Sequence, residues 1–160
     1  MTLVPGVKHD IFVSYGHGAA CVSFGGAGSD LVSRWSQQFV SDLKAEILVR
    51  LGSRDPSLVD VWMDPLLPGH HPLTETLRED VQGSAVLLVI MSPYFLNSPW
   101  CANELQWFAA PASSAGNRSE GNRSEGNKPE GNKPEGNKKD SIFVVRAFTT
   151  DPAVWPDALR

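Results

Sequence analysis

Ala85-Val86-Leu87-Leu88-Val89-Ile90-Met91 is an unbroken apolar run. That is the pattern of a central strand in a parallel sheet covered by helices on both faces. Parallel neighbours need crossover connections, so helices must lie between the strands of such a chain.

The flanking sequence supplies them. Ile11-Phe12-Val13-Ser14-Tyr15 is a short apolar run consistent with a buried strand. Ser29 or Asp30 can cap a helix in which Leu31, Trp35, Phe39, Leu43, Ile47 and Leu51 recur every four residues before Gly52 ends it. Leu58-Val59-Asp60-Val61-Trp62-Met63-Asp64 reads as the next strand, and Pro65 to Pro72 as a loop exposing Leu66 and Leu67. Leu73, Leu77 and Val81 share one face of a second helix that Gly83 closes, and Ser92 to Asn97 is a turn or short helix. Ile142-Phe143-Val144-Val145 reads as a fourth buried strand, with irregular chain from there to Arg160.

Strand and helix alternate throughout, which predicts an α/β fold with a parallel sheet, a flavodoxin-like three-layer sandwich. Ligands of such sheets bind outside the carboxyl ends of the strands, where strand order reverses. In flavodoxin-like order the first and third strands flank that point, bringing Tyr15-Gly16-His17 toward the segment from Ser92 to Glu104. Gly16-His17-Gly18 and Gly25-Gly26-Ala27-Gly28 frame the loop after the first strand. It lacks the Gly-Lys-Ser/Thr ending of a phosphate loop and the dinucleotide fingerprint, so it reads either as a phosphate contact or as a plain connection.

Gly116 to Asp140 is five tandem pentapeptides, two Gly-Asn-Arg-Ser-Glu, two Gly-Asn-Lys-Pro-Glu and one Gly-Asn-Lys-Lys-Asp. Five residues are too few for a solenoid unit, and this composition cannot offset the entropy of ordering, so disorder is expected. The domain core is then assigned to residues 9–112, the inserted repeats to 113–140, and a last strand with its tail to 141–160.

One acid stands out. From Val81 through Asn117 the only charged side chain is Glu104. Ser98 and Pro99 suit the cap and first position of its helix, and Pro111 should stop it. Trp100, Glu104 and Phe108 are four apart, an arrangement that sets the carboxylate between two aromatic rings on one face. A carboxylate so placed is costly to ionise unless something pairs with it.

Net charge of −4 over 160 residues argues against a nucleic-acid binder. The first ten residues lack the apolar core of a signal peptide and no stretch is long enough to span a bilayer, so a cytoplasmic protein is expected. Cys21 and Cys101 are isolated thiols, Cys101 suiting a core position. His9, His17, His70 and His71 have no ligand spacing, so no metal site is expected.

His9-Asp10-Ile11-Phe12-Val13-Ser14-Tyr15, an acid before a hydrophobic strand ending in Ser-Tyr, resembles the first motif of the Toll/interleukin-1 receptor (TIR) domain. Trp62-Met63-Asp64 followed by Pro68-Gly69 resembles that family's second strand and BB loop. Ser84 to Ser92, Tyr94, Ser98-Pro99-Trp100-Cys101 and Glu104-Leu105 resemble its third strand and following helix. The three motifs run in order over residues 9–108. The chain stops without the fifth strand and last helix usual in the family, and its first loop lacks the basic residues that some active members place there.

The resemblance implies a reaction. Enzymatic members cleave the nicotinamide–ribose bond of NAD when self-assembled, in signalling or defence, with a catalytic Glu four residues after a Trp. The matching positions are Glu104 and Trp100. The same matching implies that Tyr15, Gly16, His17, Trp62 and Asp64 border the substrate. It also implies that the BB loop, with Leu66, Leu67, Pro68, Gly69, His70 and His71, serves self-association. No cofactor is implied beyond NAD as substrate. The rival expectation is a non-enzymatic interaction module that docks on other TIR domains. A receiver domain is disfavoured because the third strand ends in Met91-Ser92 rather than in a phosphoacceptor Asp.

Overall fold

A computed structural model describes residues 2–16, 27–63, 74–110 and 138–159. Strands β1 (His9–Tyr15), β2 (Val61–Met63), β3 (Ser84–Met91) and β4 (Ile142–Arg146) form one sheet in the order β2-β1-β3-β4, every pairing parallel. Helices α1 (Ala27–Arg50), α2 (Thr74–Gly83), α3 (Pro93–Leu96) and α4 (Pro99–Ala109) provide the crossovers. The order reverses between β1 and β3, as the flavodoxin-like reading predicts.

Each face of the sheet has its own core. Phe12 of β1 and Leu87, Val89 and Met91 of β3 pack with Val81, Phe95, Cys101, Leu105 and Phe108 from α2, α3 and α4. On the opposite face Val13, Tyr15, Leu88 and Ile90 meet Phe39, Val40 and Leu43 of α1. The period of two along β1 therefore sends Phe12 and Val13 into different layers. The continuous apolar run of β3 is explained by its central place and its two covered faces.

Several boundaries differ from the sequence reading. β2 is three residues long because Asp55 caps a tight 3-10 turn at Pro56–Leu58, its side chain accepting from Ser57 N at 2.9 Å. β4 lies at the edge of the sheet, and Phe143, on the α1 side, is 56% exposed rather than buried. α1 begins at Ala27, ahead of the expected caps. Its every-fourth-residue row is not one buried stripe, since Leu31, Trp35 and Leu51 are exposed while Val32, Ser33 and Ser36 are buried. A step of four residues overshoots a helical turn by about 40°, so five steps carry such a row around about 200° of the helix. Gly52, at φ +65°, closes α1 as expected.

The amino-terminal end of the sheet is a polar clasp. Asp10 accepts from Val4 N at 3.0 Å and from Asp60 N at 2.9 Å. His9 lies 2.8 Å from Asp60 through Nδ1 and 3.4 Å from Asp80 through Nε2, and Lys8 pairs with Asp80. The acid of the first motif thus ties chain segments together at the end of β1 remote from Ser14.

The repeats fall largely outside the described residues. Their last three residues do not: Lys138, Lys139 and Asp140 belong to a 3-10 turn, Lys138–Ser141. Lys138 Nζ donates to Gln82 O and lies 4.9 Å from the centre of the Phe108 ring. After β4, two further turns at Pro152–Val154 and Asp157–Leu159 replace the irregular tail expected, and Trp155, Ala158 and Leu159 pack against the core on the α4 side.

Candidate active site

Ser92 and Ser98 set the local path after β3. Ser92 Oγ accepts from Phe95 N at 3.2 Å and caps α3, and Ser98 Oγ accepts from Cys101 N at 3.3 Å and caps α4. With Pro99 in the first turn, α4 starts where the sequence predicts. The buried stripe of α4 is then Cys101, Glu104, Leu105 and Phe108. Three of these are apolar or weakly polar, and the fourth is the isolated acid.

Glu104 is 6% exposed. The hydroxyl of Ser14, itself fully enclosed near the carboxyl end of β1, donates to Glu104 Oε2. Ser14 stands on the α4 side of the sheet because it is two residues beyond Phe12. The Cys101 thiol, one turn before Glu104, is pushed up to about 12, first by burial and then by the charge of Glu104. Hydrogen bonds with Ser98 and Ser14 pull it the other way, with less effect. At neutral pH Cys101 is a protonated neighbour of the carboxylate, not a nucleophile.

The expected site residues are distributed unevenly around this centre. Phe108 is buried on the Glu104 face, but Trp100 is 52% exposed, so the carboxylate does not sit between two rings. Successive steps of four drift around α4 by the same 40° or so that disperses the α1 row. Trp62 is on the Glu104 side of the sheet, stacked on Phe12 with ring centres 4.6 Å apart. Tyr15 is 3% exposed and its ring lies in the α1-side core, so the sheet separates its side chain from Glu104. Alternation along β1 assigns that face to Ser14 and could have found it.

Gly16 abuts the start of α3. A β-carbon there would overlap the backbone of Tyr94 and Phe95, so only glycine lets β1 end against α3. His17, Asp64 and the BB-loop residues Leu66, Leu67, Pro68, Gly69, His70 and His71 lie outside the described residues. Two surface clefts, one between α4 and the Asp157–Leu159 turn and one beside α3 and Thr149–Asp151, do not include Glu104 in their linings. Among the described residues no group of His, Cys, Asp or Glu side chains is arranged to hold a metal ion, and no helix is long and apolar enough to cross a membrane.

A 2-1-3-4 parallel sheet with helices on both faces, and a buried acid held at the carboxyl end of its first strand, defines an α/β module of the flavodoxin-like kind. The family model for the TIR domain matches residues 30–115, more than half of the chain, and the chain belongs to that family. No curated protein matches it. TIR domains are signalling and defence modules that interact with other TIR domains.

Proposed function

We propose that this TIR domain is an NAD nucleosidase, cleaving the bond between nicotinamide and ribose when copies of the chain assemble in the cytoplasm. The observation that carries the reading is Glu104, a carboxylate buried on α4 and hydrogen-bonded from the carboxyl end of β1. Such an acid is costly to keep in a core, and its position is where parallel sheets bind ligands.

The chemistry asks little else of the chain. Nicotinamide leaves a cationic glycosyl bond as a neutral molecule, taking the bonding pair, so no strong general acid is needed. The ribose carbon left behind carries oxocarbenium character, and a fixed carboxylate stabilises that charge or binds the ribose hydroxyls. Water then adds to the anomeric carbon and releases a proton, giving ADP-ribose. In this reading Glu104 is the catalytic residue, and Trp62, Trp100 and the backbone at Tyr15 and Gly16 border the substrate. His17 and Asp64 complete that border, and the loop 66–71 of a neighbouring copy closes the site.

Incubating the purified protein with NAD, with and without a crowding agent, and separating the products tests this. Cleavage by the assembled protein is expected, and Glu104→Gln should reduce it by about a hundredfold or more while assembly persists. Undiminished cleavage by Glu104→Gln would overturn the assignment. An assembled wild-type protein that never consumes NAD would leave the non-enzymatic docking module as the reading.

A further inference from the structure

We infer that Ser14 is the positioning residue of this site, its hydroxyl fixing the Glu104 carboxylate in one orientation. The inference rests on the nucleosidase reading for its purpose, but its geometry is independent of any substrate.

Ser14 sits on the least deformable part of the fold. β1 is paired on both sides, with Ser14 opposite Val89 of β3 and Phe12 opposite Trp62 of β2. Its hydroxyl donates to Glu104 Oε2 from a position that is 2% exposed. A donor on a central strand keeps its place when loops rearrange, whereas one on a loop would not. Asp10, on the same face of β1, has its carboxylate occupied at the far end by Val4 and Asp60. Phe12, between them, has no polar atom to offer.

A hydroxyl that donates to a carboxylate favours its charged form, offsetting part of the desolvation cost. Among the described residues, several elements on this side carry charged or titratable groups. α4 contributes Cys101, which stays protonated, and the turn after the repeats contributes Lys138 over Phe108. α2 carries Arg78, partly buried, and Asp80, which Lys8 and His9 take up. β3 presents Leu87, Val89 and Met91, and α3 presents Phe95, none of them ionisable. Removing the Ser14 hydroxyl should therefore be visible in the titration of Glu104.

The decisive measurement is carbon-detected NMR of the Glu104 carboxyl group across pH, in the whole chain with no NAD present. Ser14→Ala should raise its midpoint by about one pH unit. Ser14→Thr, which keeps the hydroxyl, should return it to the wild-type value, and Ser14→Cys, a weaker donor, should fall between. In NAD cleavage the acid limb of the pH profile should move by the same amount in Ser14→Ala. Its kcat should fall about tenfold with little change in KM.

A Glu104 midpoint that stays within about a fifth of a pH unit of wild type in Ser14→Ala would overturn the inference. So would an equal displacement in Ser14→Thr and Ser14→Ala, since a role in packing alone makes no distinction by hydroxyl. If the wild-type protein does not cleave NAD but the midpoint moves as expected, Ser14 positions Glu104 and the nucleosidase reading is what fails.

Discussion

Cys101 shows how a single burial decision becomes a pH dependence. Its thiol is displaced from 9.0 to about 12 chiefly because the core around α4 penalises the thiolate. The folded value lies above the unfolded one, so the stabilisation is complete below about pH 9 and is lost as pH rises toward about 12. Each pH unit in that window weakens folding by up to about 1.4 kcal/mol. Denaturant unfolding at pH 8 and at pH 10.5 or so should show wild type losing more stability than Cys101→Ala, because the substitution removes this titration while leaving the exposed groups common to both. An identical loss in the two proteins would mean that the thiol ionises as readily in the core as in the unfolded chain. Gly16 makes the complementary case, where the absent atom matters. Gly16→Ala must push β1 away from the α3 backbone, costing about 2 kcal/mol or more, and with β1 it displaces Ser14. Unfolding midpoints measure that cost directly, and a neutral substitution would show that the strand end relaxes freely.

At the level of elements, what the sequence made legible was whatever depended on short-range pattern. The apolar run of β3, the Ser98-Pro99 start of α4 and the Gly52 end of α1 follow from local chemistry and are found where pattern puts them. Recurrence every four residues does not make one face of α1: the buried line runs instead through Val32, Ser33 and Ser36, while Leu31, Trp35 and Leu51 turn outward. The same drift moved Trp100 out to solvent. Glu104 was legible as an anomaly of composition, one charge in a long uncharged stretch. Its partner was not, because the bond spans ninety positions of chain. Only the pleat of β1 hinted at it: if Phe12 faces the helices that follow β3, Ser14 does too, and Tyr15 cannot. Lys138 escaped for the opposite reason: the last unit, Gly-Asn-Lys-Lys-Asp, is as polar as those before it, and nothing in its local pattern marks its final three residues as part of a turn against the fold.

That last unit divides the inserted segment of the whole molecule into two parts with different expected effects. β4 joins β3 only after the chain has passed from α4 through the repeats, so the insertion stands between two elements of one core. Lys138 fastens its end to α2 and α4 together, through Gln82 O and the face of Phe108. Removing residues 116–135, the four complete repeats of Arg-Ser and Lys-Pro type, touches neither contact. Closing a shorter connection changes loop entropy only logarithmically, so stability should stay within about 1 kcal/mol of wild type. Removing residues 116–140 takes Lys138 and most of the turn that leads into β4. It loses a hydrogen bond to a main-chain carbonyl and a cation over an aromatic ring, together about 1–3 kcal/mol. Denaturant unfolding of the two deletions side by side should therefore separate them, the longer one unfolding at clearly lower denaturant. Should the shorter deletion prove the more damaging, the repeats would have to contribute to the core in their own right, and Asn, Gly and alternating charge would be stabilising it by something other than apolar burial.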